Sequence, residues 1–357
     1  MTSIRNSMIS TGSNVKQFSR GLLLLSLVLL CSKATLVRAD SAPTLSSNEM
    51  ATVNVLASNF PSKPVRWIVP AGAGGGTDLA ARLFAQIATE SWHQSVVVDN
   101  KPGASGMIGL DSLANSPADG YTLGFISVSQ FIDSILLQKY AFDSNKDFTP
   151  ITLVATSPMV LLTNPESGFS SVKELVEYAK AHPNELSYSS GGSGGLTHLC
   201  MEVFLRKAKI SAVHVPYKGT GPAIIDLLAG RVQLTFSTLP AAMQYLKTGR
   251  LKALGVASSA RSPLAQDIKT FKEQEVNGVV FGNWYGLIGP KNMPTSVVQK
   301  ISSSLNTSAK VSENKKKITT DGIESVGNSS SQFVSFLDIE RNQWIGISKD
   351  IDFKKQD

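Results

Sequence analysis

The stretch VRWIVPAGAGGGTDLAARLFAQIATESWHQSVVVDN, Val65–Asn100, decides the fold. Its first six residues, VRWIVP (Val65–Pro70), are apolar and β-branched enough for a buried strand, and they run into a glycine cluster. Thr77 and Asp78 then open a helix in which Leu79, Leu83 and Ile87 recur at four-residue steps. SVVVDN (Ser95–Asn100) is the next strand. Strand, helix and strand at this spacing predict a parallel sheet whose faces must be covered by helices.

The same alternation continues outward from this unit. KPGASG (Lys101–Gly106) is a turn, a helix runs on through Leu113, and YTLGFISV (Tyr121–Val128) is a third strand. A second set has strands at Met159–Thr163, Leu186–Ser190, Val213–Tyr217 and Val232–Ser237, with further strands at Leu251–Ser258 and Phe281–Ile288. Helices are expected at Ser171–Ala181 (capped by Ser170 or Ser171), Thr197–Lys207 and Gly221–Gly230, and through most of the C-terminal part. Residues 40–60 carry no periodicity and read as a flexible lead-in. Two α/β lobes account for the pattern.

The chain has 357 residues, 42% of them hydrophobic, which excludes a disordered protein. Its formal charge of +7 invites a nucleic-acid reading until the charges are located. Residues 1–39 hold Arg5, Lys16, Arg20, Lys33 and Arg38 and no acidic residue. The apolar run Gly21–Leu30 is far shorter than the roughly 20 residues of a membrane span. With Val37 and Ala39 as small residues ahead of the cut, this is an export signal cleaved after Ala39. Cleavage leaves 29 basic against 27 acidic residues, a charge of +2, so no nucleic-acid partner is expected. It also removes Cys31 and leaves Cys200 as the single cysteine, without a disulfide.

Two glycine-rich loops stand between a strand and a helix. In VPAGAGGGTD (Val69–Asp78) and SSGGSGGLTH (Ser189–His198), glycines permit close approach to the backbone, and the amides opening the following helix favour an anion. The first loop departs from the dinucleotide fingerprint, with Thr77 where the last glycine belongs. The second contains GGSGG (Gly191–Gly195), a literal nucleophile-elbow match centred on Ser193. Between Ser193 and His214 the only carboxylate is Glu202, and His198 lies five residues on in the same segment, so the partner order of a serine hydrolase is not met. The four histidines, His93, His182, His198 and His214, lack metal-ligand spacing, and neither a metal nor a cofactor is expected. One loop per lobe, facing each other across a cleft, would suit a small carboxylate.

In order along the chain stand PSKPVRWIVP (Pro61–Pro70), GGGTD (Gly74–Asp78), DNKPGASG (Asp99–Gly106), ADGYTL (Ala118–Leu123) and DFTP (Asp147–Pro150). SSG (Ser189–Gly191), THL (Thr197–Leu199), HVPYKG (His214–Gly219) and WYGL (Trp284–Leu287) complete the series. In this ordered set the chain resembles the Bug family, periplasmic substrate-binding proteins of tripartite tricarboxylate transporters.

The resemblance implies an α/β, type II periplasmic-binding-protein fold, two lobes joined by two crossovers with the ligand cleft between them. Residues 61–157 and 282–357 would form one lobe and 158–281 the other. It implies a non-enzymatic, monomeric periplasmic protein that captures a small organic carboxylate and delivers it to an inner-membrane tripartite permease. A ligand sensor for a signalling receptor is the alternative on the same fold. The implied ligand-binding residues are Ala71, Gly74, Gly75, Thr77 and Asp78 in the first loop and Ser190, Gly191, Ser193, Gly194, Thr197 and His198 in the second. Ser127, Ser129, Ser237 and Thr238 join them at neighbouring strand ends. Ala71, Gly72 and Ala73 replace the family's usual aromatic and prolines, and Ser237 its usual acidic residue.

Overall fold

The computed structural model describes residues 60–136 and 147–350. The expected export signal, Cys31 and the lead-in up to residue 59 lie outside the described residues. Phe60 is buried against Trp92 and Tyr121, so packed chain reaches at least one residue into the expected lead-in.

The opening strand is β1 (Val65–Val69), followed by α1 (Gly76–Trp92) and β2 (Val96–Asn100), which pairs parallel to β1 with Val65 beside Val96. On α1, Ala80, Ala81, Phe84, Ala85, Ile87 and Ala88 are buried, the stripe that a helix lays on a sheet. The helix α2 (Met107–Ala114) leads to β3 (Thr122–Ser127), parallel to β1 on its other side, and α3 (Val128–Leu136) follows at once.

The strand expected to begin at Met159 is the second half of β4 (Phe148–Thr163). Pro150 and Pro158 interrupt its sequence pattern, and only pairing on both flanks makes it one strand. Beyond it lie α4 (Val172–Ala181), β5 (Ser187–Ser190), α5 (Leu196–Ala208), β6 (Val213–Pro216), α6 (Thr220–Leu228) and β7 (Leu234–Thr238). Helix α7 (Leu239–Lys247), unanticipated from sequence, precedes β8 (Lys252–Val256), and β9 (Gly282–Pro290) returns to the first sheet. α8 (Thr295–Ala309), α9 (Ser312–Thr320), the two-residue β10 (Glu324–Ser325) and α10 (Ser330–Asp350) complete the described chain.

The hydrogen-bonded strand order is β2-β1-β3-β9-β4-β7-β5-β6, with β8 and β10 also on β4. β4 changes partners along its length. Phe148–Pro158 runs antiparallel to β9, whereas Met159–Thr163 runs antiparallel to β7 and β8. Past that switch its side chains alternate between two cores: Met159 and Leu161 join Phe204, Phe236 and Phe271, while Val160 and Leu162 join Ile224, Leu227 and Leu239. β5, β6 and β7 are parallel in the second sheet, as β1, β2 and β3 are in the first. Ligands of such sheets bind beyond the carboxyl ends of the strands. Every loop named from the sequence leaves one of those ends.

Candidate ligand-binding site

The loop after β1 is held by one carboxylate. Asp78, buried in the first turn of α1, accepts the Gly74 N–H at 2.9 Å, the Asn100 amide at 3.0 Å and Arg82 Nε at 3.1 Å. Burial alone would raise its pKa, but the bonds from Arg82, Gly74 and Asn100 outweigh that and hold it below the ordinary carboxylate value. Asn100 also donates to the Ala71 carbonyl at 3.1 Å, and Arg82 to Asn100 at 2.9 Å. Asp78 therefore organises the loop and carries a charge that Arg82 already balances. Gly75 caps α1 and Thr77, in its first turn, is half-buried.

The end of β3 is tied to the same loop. The Ser127 N–H and hydroxyl both donate to Gln130 Oε1 at 3.0 Å, and Gln130 Nε2 donates to the Pro70 carbonyl at 3.2 Å. Ser129, beside them at the start of α3, is half-buried.

The loop after β5 is held from the helix that follows. Thr197 Oγ1 accepts the Gly191 N–H at 2.9 Å, His198 Nδ1 accepts the Gly194 N–H at 3.0 Å, and Ser190 Oγ takes the Gly192 N–H at 3.2 Å. Part of the donor supply expected of this loop is thus engaged within it. Ser193 stands exposed at its tip, and the amides opening α5 have no intrahelical partner. The serine–histidine pair is Ser190 with His214, 2.7 Å from oxygen to Nε2. Ser190 is fully buried, and His214 is stacked on Tyr188 at 4.9 Å and on His198 at 4.0 Å. Burial, then neighbouring His198, pushes His214 down to about 4. This pair supports a loop; it does not present a nucleophile.

A third loop, which sequence reading missed, completes the site. After β6 the Tyr217 and Gly219 amides bond to the Ser190 and Gly191 carbonyls at 3.0 Å, placing Thr220 at the N-terminus of α6. A Cβ on Gly75 would come within 2.9 Å of Thr220 Oγ1, and one on Gly221 within 3.6 Å of the Ala73 carbonyl. A Cβ on Gly76 would overlap the Thr238 hydroxyl at the end of β7. The glycine loop after β1 of the first sheet therefore meets α6 and the end of β7 of the second sheet. Ser237, on the opposite face of β7 from Thr238, is buried, and its hydroxyl donates to the Thr238 carbonyl at 3.3 Å. The motif HVPYKG ends one residue before Thr220, and the helix expected from Gly221 starts there, one residue early; the sequence marks the helix but not its place in the site.

The arrangement offers helix N-termini and hydroxyls on neighbouring loops, the chemistry of an anion site. Among the described residues no group of three or more His, Cys, Asp or Glu side chains could hold a metal ion, and no helix is long and apolar enough to cross a membrane.

The chain is similar to protein BugT of Bordetella pertussis, 31% identical over 298 residues that cover 83% of this chain and 91% of that one. Among solved structures it is similar to R. palustris Rpa4515 with adipate, at 31% identity and a TM-score of 0.78, covering 82% of this chain and 98% of that one. It is also similar to the periplasmic binding protein BugD, at 30% identity and a TM-score of 0.77 over 82% and 98% of the two chains. These neighbours share the two-lobed α/β fold. Residues 80–353 match the tripartite tricarboxylate transporter family receptor, TctC, and the chain belongs to that family.

Proposed function

We propose that this is an exported, non-enzymatic solute-binding protein that captures a small carboxylate by lobe closure and delivers it to the membrane component of a tripartite tricarboxylate transporter. Residues 1–39 direct export to the periplasm. Residues 61–157 with 282–357 and residues 158–281 are the two lobes, closing about β4 and β9, and the protein acts as a monomer.

One observation carries the reading. The N-termini of α1 and α6 meet, with Gly191 of the loop that leads into α5 packed against Thr220, and Asp78, the carboxylate within those loops, is already neutralised by Arg82. An anion entering there gains helix-end amides and hydroxyls without facing an uncompensated negative charge. The adipate of the Rpa4515 structure is the chemistry such a site suits. Ser129, Ser193, Thr77, Thr220 and Thr238 supply hydroxyls, and closure converts ligand contacts into a population shift that a membrane partner can recognise.

Thermal shift and calorimetry with acetate, malate, adipate and citrate, each beside its neutral amide, test this. Stabilisation by at least one acid and not by its amide is expected. If no acid stabilises the protein, or amides do so equally, the reading fails.

A further inference from the structure

The two glycine loops are built alike, residue for residue. In Gly74–Asp78 and Gly194–His198 the first glycine is left-handed, φ +77° and +81°. The second caps the helix in nearly the same conformation, φ −81° and ψ 166° against φ −71° and ψ 167°. The residue four beyond each cap, Leu79 or Leu199, returns its N–H to the cap carbonyl at 3.0 Å. The fifth residue of each run reaches back to accept the N–H of the first, Asp78 from Gly74 at 2.9 Å and His198 from Gly194 at 3.0 Å. One helical turn on, the charges are exchanged: Asp78 is followed by Arg82 and His198 by Glu202, whose Oε1 lies 3.9 Å from His198 Nε2.

We propose that His198 is the positioning residue of the second lobe's binding loop: its unprotonated Nδ1 holds the Gly194 amide, its Nε2 carries the proton toward Glu202, and it acts on ligand only through the loop. A nitrogen that accepts an N–H cannot itself bear hydrogen, so the bond selects this tautomer. Side chains of β5 and β6 stack beside the ring. His214 of β6 stacks on it at 4.0 Å with an 8° interplanar angle, Tyr188 of β5 stacks beyond His214 at 4.9 Å, and the Tyr188 hydroxyl fixes Glu202 at 2.6 Å. An imidazole latches the loop as Asp78 does, without adding a carboxylate beside the anion. A carboxylate at 198 would lack an Arg82 and would face Glu202.

Two measurements test the assignment. Long-range 1H–15N correlation spectra of the ligand-free protein at pH 7.5 should show His198 as the Nε2–H tautomer; the Nδ1–H tautomer or an imidazolium would overturn it. Adipate titrations should find His198→Asn, whose Oδ1 can replace Nδ1, within about threefold of the parent, and His198→Leu at least about tenfold weaker. His198→Asp should be weaker still at pH 7.5 and should recover toward pH 5.5 as the added carboxyl takes up a proton. Equal affinity of His198→Leu and the parent, or of His198→Asn and His198→Leu, would overturn it. The affinity arm rests on the carboxylate reading. If the parent binds no acid, that reading fails alone, and the tautomer decides the role of His198.

Discussion

Gly76 and Thr238 touch so closely that a side chain on the glycine would overlap the threonine hydroxyl. One opens α1, which follows β1 of the first sheet, and the other ends β7 of the second. Their contact sets how near the first helix end can come to the second sheet.

Gly76→Ala should therefore impair closure more than folding. Alanine is a better helix former than glycine, so the free protein should lose no more than about 2–4 °C in thermal midpoint, equivalent to ~1 kcal/mol. Affinity for the best carboxylate should fall at least about tenfold in calorimetry, because the added methyl collides with Thr238 wherever α1 and β7 approach as closely as they do here. Unchanged affinity would remove this contact from the closing surface.

Thr220 is expected to matter through its hydroxyl. Thr220→Ala removes one donor at the N-terminus of α6 and leaves the backbone bonds of Tyr217 and Gly219 intact. A neutral hydrogen bond is worth about 0.5–1.5 kcal/mol, so affinity should fall roughly threefold to tenfold with little change in stability. Calorimetry on the folded variant checks this.

Asp78→Ala should cost both stability and binding. It deprives the Gly74 amide, Asn100 and Arg82 of a shared acceptor, and leaving buried donors unpaired costs about 1–3 kcal/mol. Because the folded pKa lies below 3.8, the stability Asp78 contributes is present above that value and is lost as pH falls beneath it. Denaturant melts of the parent and variant should therefore converge below about pH 3.8.

His214 predicts a second, higher acid transition. Its folded pKa of about 4 lies below the ordinary 6.5, so the unfolded chain takes up the proton first. Stability is full above pH 6.5 and falls as pH drops from 6.5 toward 4. The imidazole resonances of His214 should titrate near 4, and His214→Phe, which keeps the stack on Tyr188, should flatten the decline. A midpoint near 6.5 would contradict the buried stack.

Much of this protein is legible in Val65–Asn100 alone. A four-residue apolar period and a β-branched run need no distant partner to declare a helix between two strands, and glycines before a helix start declare an anion-favouring turn. The resemblance carried in DNKPGASG, HVPYKG and WYGL extended that reading to the family. Other features depended on contacts far apart in sequence. β4 is a single strand because β9 flanks one half and β7 with β8 the other, which its prolines conceal. Thr220 reaches the site because β6 pairs with β5, and Gln130 because its amide spans sixty residues to Pro70. Asp78 and His198 both lie in motifs that the sequence marks. That each turns back to hold its own loop follows from helix starts that bring residue five over the amide of residue one, a relation set by backbone geometry and visible only once the chain is folded.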